Sequence, residues 1–257
     1  MTIYLQTAAR RSVEVPVTET ERALRVQLAA AYRIFNHLGW VEMIFNHITV
    51  RVPGAEKLFL INPFGLHYSE VTASNLVLID VEGNPVRESK WPVNRAGFVI
   101  HSAIHGALDS AHCVMHTHTT TGMAVASLKA GLSPTNFYAA QLHGRVAYHD
   151  FEGITVNPDE QTRMLASIGT RPAVILRNHG LLAWGPSIPE AFMMLWTLQR
   201  ACDIQIASSS AGELNPIADA VFAQTVRESG PGEKRTCEDV FAAMQRLVDA
   251  KDASYRN

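Results

Sequence analysis

Apolar positions Leu24, Leu28, Ala31, Phe35 and Leu38 recur at the spacing that lines one face of a helix. Thr18 or Thr20 is placed to cap that helix, and Gly39 to end it. The pattern then switches to alternation. His47-Ile48-Thr49-Val50-Arg51-Val52 is rich in β-branched residues, Pro53-Gly54 turns it, and Leu58-Phe59-Leu60-Ile61 reads as the partner strand of a hairpin. Val77–Val81 repeats the strand-turn pattern, and residues 95–108 return to a helix with Phe98, Ile104 and Leu108 inward. An apolar run ending in Cys113-Val114-Met115-His116-Thr117-His118 predicts a buried strand, followed by a small-residue helix over 119–128.

Further along, 153–156 is strand-like, 160–168 helical, and Ala173-Val174-Ile175-Leu176 a buried strand. Ser187-Ile188-Pro189-Glu190 is a capping box with an early proline, opening a long helix to about Ser208. A Ser/Ala/Gly/Asn/Pro stretch at 208–216 breaks it, and Thr236-Cys237-Glu238-Asp239 is expected to cap a last helix carrying Phe241, Met244 and Leu247. Strands and helices are interspersed without an evident linker, which predicts a single α/β domain. Its expected limits are residues 18–225, between an N-terminal arm over 1–17 and a C-terminal helical extension over 226–257.

The chain has 257 residues, 47% hydrophobic and 18% charged, which is globular and long enough for a sizeable core. Its net charge of −2 gives no reason to expect nucleic acid or an anionic membrane as a partner. No apolar segment approaches the roughly 18 residues that span a bilayer. Met-Thr-Ile-Tyr-Leu-Gln at the start lacks a basic region followed by an apolar one, so no secretory leader is expected. Cys113, Cys202 and Cys237 are odd in number and have no CxxC spacing, which argues against a disulfide framework or a thiolate zinc site. A reducing cytoplasm is the expected compartment. The compositional oddity is 11 histidines.

His116 and His118 are two apart, so an extended strand presents both on one face. His179, in Arg177-Asn178-His179-Gly180, follows the second buried run, and Gly180 is expected to let the chain turn so that a third imidazole closes on the same point. A lone histidine is most simply a hydrogen-bonded residue at a core edge. Two at the end of one apolar run would crowd each other and be desolvated without a shared partner. Three neutral imidazoles with an open fourth position describe a catalytic divalent-metal site. Nitrogen donors suit zinc best, with manganese, iron(II) and cobalt(II) open. Cys113, an odd number of residues from His116, should face away and pack as a small apolar residue. His101 and His105, four apart on a predicted helix without an HExxH glutamate, fit a buried or interface role.

Four segments in order carry a resemblance: Phe45-Asn46-His47-Ile48-Thr49-Val50-Arg51, Ile61-Asn62-Pro63-Phe64-Gly65-Leu66, His116-Thr117-His118 and Asn178-His179-Gly180-Leu181-Leu182. Over roughly residues 20–225 the chain resembles the class II aldolase/adducin family. The resemblance implies a three-layer α/β fold with a central, mostly antiparallel sheet flanked by helices, and a homotetramer with metal sites near subunit interfaces. It implies His116, His118 and His179 as metal ligands, in agreement with the spacing. Asn46 falls on the family's phosphate-loop asparagine and Gly65 on the glycine of its second loop, although composition alone makes both turn residues.

The departures are informative. The family's sugar-phosphate aldolases carry Ser-Ser-Glu at the start of the helix before the ligand strand, and the Glu moves the proton. Here those positions read Arg95, Ala96 and Gly97, and Phe64 stands where a phosphate-contacting threonine is usual, as in the adducin-like branch. Arg95 could grip a substrate carboxylate in place of phosphate or make an ordinary surface pair. Without the Glu, a proton must come from metal-bound water, Tyr138, His143 or another subunit; Tyr138 lies near the position of a tyrosine supplied by the neighbouring subunit in those aldolases. Tyr148 and His149 are further candidates, each more simply a satisfied polar residue at a strand edge. The function expected is a metal-dependent carbon–carbon lyase, aldolase or decarboxylase in type, acting on a small hydroxy or oxo acid or a sugar-derived substrate. Two alternatives stand beside it: a non-catalytic adducin-like binding module, and a non-haem iron oxygenase, whose usual carboxylate ligand the sequence does not obviously supply.

Overall fold

A computed structural model describes residues 16–54, 57–153, 158–229 and 233–257. The strand-like segment read at 154–156 and most of the N-terminal arm lie outside the described residues. The elements run α1 (Glu19–Leu38), β1 (Ile48–Val52), β2 (Leu58–Ile61), β3 (Val77–Ile79), α2 (Arg95–Ala107), β4 (Cys113–Thr117), α3 (Thr120–Ala126) and α4 (Phe137–Gln141). They continue with β5 (Val146–His149), α5 (Pro158–Ile168), β6 (Ala173–Leu176), β7 (Gly180–Gly185), α6 (Ile188–Ser209), α7 (Asp219–Ser229) and α8 (Lys234–Asp249).

The seven strands form one sheet in the order β3-β2-β1-β4-β7-β6-β5. Every neighbouring pair is antiparallel except β5 and β6, which run parallel. Strand parity decides what each face carries. Ile48 and Val50 of β1, Cys113 and Met115 of β4, and Leu181 and Ala183 of β7 join the larger core, which α1 and α6 cover. Val114, Val174, Leu176, Leu182 and Trp184 point the other way, onto α2 and α5. Cys113 therefore does face away from His116, as its odd offset required.

The ends of the elements follow local chemistry. Thr18 accepts from Glu21 N at the start of α1, and Gly39 closes it at φ 73°. Ser187 accepts from Glu190 N at the start of α6 and donates to the same carboxylate. The expected cap at Thr236 is not formed. α8 begins at Lys234 after Glu233, which makes no side-chain cap, and the Thr236 hydroxyl donates back to the Glu233 carboxylate.

The sequence predicts a turn at Gly180, and the structure has strand β7 starting there. The backbone places the turn two residues earlier. Asn178, at φ 57°, takes the left-handed conformation that asparagine tolerates, and Gly180 is already strand. Glycine is required there for a different reason: a Cβ at 180 would overlap the Thr117 carbonyl oxygen and stand 3.0 Å from His118 Cδ2.

Candidate metal centre

β4 and β7 are adjacent at the middle of the sheet, with His116 opposite Leu182 and Thr117 opposite Leu181. This pairing brings the end of β4 against the start of β7, so His116 and His118 meet His179. Ring centroids are 4.5 Å apart for His116–His118 and 4.9 Å for each of the other two pairs. One ring nitrogen from each lies within 4.8 Å of the others, and no other group of three or more His, Cys, Asp or Glu gathers in this way among the described residues.

Each ligand segment is held by its neighbours. His116 Nδ1 lies 2.8 Å from the Leu181 carbonyl, which only accepts, so Nδ1 carries the proton and Nε2 turns its lone pair inward. After His118, the Thr119 hydroxyl caps α3 by accepting from Gly122 N and donates to Gln199 Oε1. Gln199 in turn donates to Thr121 and Asp203, fastening α3 to α6. Asn178 N donates to the Ala126 carbonyl, tying the segment before His179 to the end of the helix that follows His118.

Burial keeps these rings neutral, the form that binds a metal. It holds His116 well below the ordinary imidazole range, with the neighbouring histidines adding to the effect, lowers His118, and pushes His179 down to about 4. A divalent ion about 2.0–2.1 Å from each nitrogen would space them by roughly 3.4 Å. The Nε2 atoms of His116 and His118 are 2.7 Å apart and the three donor atoms lie within 4.8 Å of one another, a spread that brackets this spacing. The donor set fits a divalent cation.

The other residues singled out in the sequence fall at different distances from this point. Asn46, at φ 67° and 5% exposed, kinks the chain just before His47, and its side-chain oxygen is buried without a partner. Gly65 sits in a loop at φ 103°. Arg95 is the first residue of α2, after the cap Asn94; its side chain lies outside the described residues. Tyr138 packs edge-on against Trp196 of α6, and the exposed His143 stacks on Phe222 of α7, in the helical layer rather than against the three histidines. Tyr148 accepts from Leu132 N under the Arg177 guanidinium, a structural arrangement.

Two features add to what the sequence suggests. His149 is buried with Nε2 3.9 Å from Glu152 and 3.8 Å from Glu160, and these three line a small cavity that also reaches His179. Carboxylates therefore stand beside the centre, although not within its ligand group. The second is His47, 3% exposed, whose ring centroid is 6.4 Å from that of His116. Its presence within a matching segment was a signal, but its strand-like neighbours made it read as sheet.

Residues 26–206 match the family described as Class II Aldolase and Adducin N-terminal domain. A candidate aldolase class 2 protein of Pseudomonas aeruginosa is 40% identical over 250 residues, 95% of this chain and 96% of that protein. Alpha-adducin of Rattus norvegicus is 45% identical over 207 residues, which is 79% of this chain but 28% of the adducin. Among solved structures, an L-fuculose 1-phosphate aldolase from Glaciozyma antarctica superposes with a TM-score of 0.83 at 30% identity, covering 95% of this chain and 97% of the other. With its seven-stranded sheet and three converging histidines, the chain belongs to the class II aldolase and adducin family.

Proposed function

We propose that the protein is a metal-dependent carbon–carbon lyase acting on a small hydroxy or oxo acid or a sugar-derived substrate. The observation that carries this reading is the convergence of His116, His118 and His179, neutral and tied in place, on one point. A divalent cation held there, with zinc favoured by the nitrogen donors, supplies Lewis-acid polarisation of a substrate carbonyl or hydroxyl. The chain's own residues must bind the substrate and handle the proton.

Gly97 offers no side chain for that, and a Cβ at 97 would overlap the His47 ring. Decarboxylation suits such a centre as well as retro-aldol cleavage, because loss of carbon dioxide needs no base to deprotonate a hydroxyl. Arg95, at the start of α2, is assigned to a substrate carboxylate, and Asn46 and Gly65 to further substrate contacts. Tyr138 and His143 are assigned to proton transfer toward a neighbouring copy's centre, within a homotetramer. The exposed Phe137 beside Tyr138 supports an interface there. No helix among the described residues is long and apolar enough to cross a membrane, and all three cysteines are free and buried; a cytoplasmic setting belongs to the same proposal.

A second reading, an adducin-like binding module without turnover, is favoured by the identity to rat alpha-adducin and by the absence of a side chain at 97. A screen of small hydroxy and oxo acids for released carbon dioxide or aldehyde separates the two. The lyase reading expects turnover that is lost together with bound metal in His116→Ala. Stoichiometric metal with no turnover of any such acid would leave the binding module.

A further inference from the structure

His47 carries two ring nitrogens, both buried; neither makes a well-formed hydrogen bond, and the Gly97 backbone is the only hydrogen-bonding group that engages the ring. Buried nitrogens so poorly partnered are costly and call for a cause. The ring is wedged in place: a Cβ at 97 would overlap its Cε1 and stand 2.6 Å from Nδ1, so an imidazole at 47 and any side chain at 97 exclude each other. The ring also meets His101, one turn further along α2, with centroids 4.0 Å apart.

A chain of hydrogen bonds behind His101 fixes the proton positions. The Ala111 carbonyl, an acceptor only, lies 2.6 Å from His105 Nδ1, so that nitrogen carries the hydrogen. His105 Nε2 is then an acceptor, and the Thr49 hydroxyl 2.8 Å away must donate to it. Thr49 has one hydrogen, so at 2.7 Å it accepts from His101 Nδ1–H. His101 Nε2 is left as a buried, unpartnered lone pair. Burial keeps the three rings neutral, pushing His105 to about 3 and His47 to about 4, and His101 well down. A neutral His47 has one N–H and one lone pair. No hydrogen bond joins His47 to His101; the Gly97 backbone is the group that engages the His47 N–H, which leaves the ring's lone pair without a donor.

Resting on the metal reading above, we propose that His47 is a substrate-contact residue of the three-histidine centre, its free nitrogen accepting a hydrogen bond from a substrate hydroxyl seated beside His116. Thr49 and His101 are positioning residues: Thr49 fixes the His101 ring against which His47 packs. His47 changes neither charge nor protonation in this role. It supplies a hydroxyl-recognising group in the space that a side chain at 97 would need.

The test uses Co(II)-loaded protein, with lactate as the hydroxyl-bearing probe and propionate as its hydroxyl-free counterpart, binding being read from the visible spectrum. His47→Phe should keep its Co(II), weaken lactate about tenfold, and leave propionate within about twofold. Loss of affinity for both probes alike would reduce His47 to a structural role, and unchanged lactate binding would overturn the proposal, as would a wild-type protein that binds neither probe. Should His47→Phe not fold, Thr49→Val retains the imidazole and should weaken lactate about threefold with propionate unchanged. Nitrogen-15 spectra of the metal-free protein test the relay without any ligand: His101 and His105 should both carry hydrogen on Nδ1, and Thr49→Val should abolish that preference at His101. The opposite tautomer at either ring would overturn the assignment. A wild type that takes up no Co(II) but shows both tautomers as stated would sink the metal reading and this contact with it, leaving the relay standing.

Discussion

At the scale of single residues, the site depends on backbone geometry that few side chains can adopt. Asn178 turns the chain into His179 at φ 57°, and Gly180 lets β7 pass against β4. Gly180→Ala should cost about 1–3 kcal/mol in urea unfolding, since the added carbon meets a backbone oxygen that cannot swing away. Asn178→Ala should cost about 1 kcal/mol, and Asn178→Gly should be close to neutral, because only the second tolerates the left-handed region freely. Equal costs for the two would refute that assignment of the turn. The pairing of His116 with His118 was legible in the sequence because a strand fixes i and i+2 on one face, and the approach of His179 to them follows from the pairing of β4 with β7. His47 was not legible, because its importance lies in what fills the space above Gly97, and a gap in one segment does not announce which distant ring occupies it.

At the scale of elements, periodicity and caps revealed most of the fold. α1 and α6 begin and end where Thr18, Gly39 and Ser187 direct, and Ser187→Ala should lower stability by about 1 kcal/mol in the same unfolding measurement. β7 went unread because Gly-Leu-Leu-Ala-Trp-Gly is bracketed by glycines and reads locally as a turn. What makes it a strand is pairing with β4 on one side and β6 on the other, a tertiary cause with no local signature. α4 is a single short turn of helix, below the length at which periodicity can be seen. The hydrogen bonds from Thr119 to Gln199, and from Gln199 to Thr121, join α3 to α6 across a long sequence separation. They are invisible before folding for the same reason.

For the molecule as a whole, the centre places a group of neutral histidines inside the fold, and this sets its response to acid. His47 and His179 are held near 4 and His105 near 3 by burial, with His101 and His116 also well below the ordinary range. In the unfolded chain these rings titrate at about 6.5. The unfolded state therefore binds protons first as pH falls. Stability is full above about pH 6.5, declines between 6.5 and about 3–4, and each such ring steepens the loss by about 1.4 kcal/mol per pH unit. Urea midpoints measured at pH 7.5, 6 and 5 should fall in that order; a midpoint independent of pH over this range would contradict the buried-neutral assignment. Bound divalent ion should delay the decline, because it holds the three ligand rings in their neutral form.

The central claim is that His116, His118 and His179 share one divalent cation. Elemental analysis of protein purified without chelator, beside His116→Ala prepared identically, tests it most directly. Close to one zinc, manganese, iron or cobalt per chain is expected in the parent protein, and almost none in a variant that remains folded. A folded parent protein that carries no metal and takes none up from excess zinc, or a variant that binds as much as the parent, would contradict it.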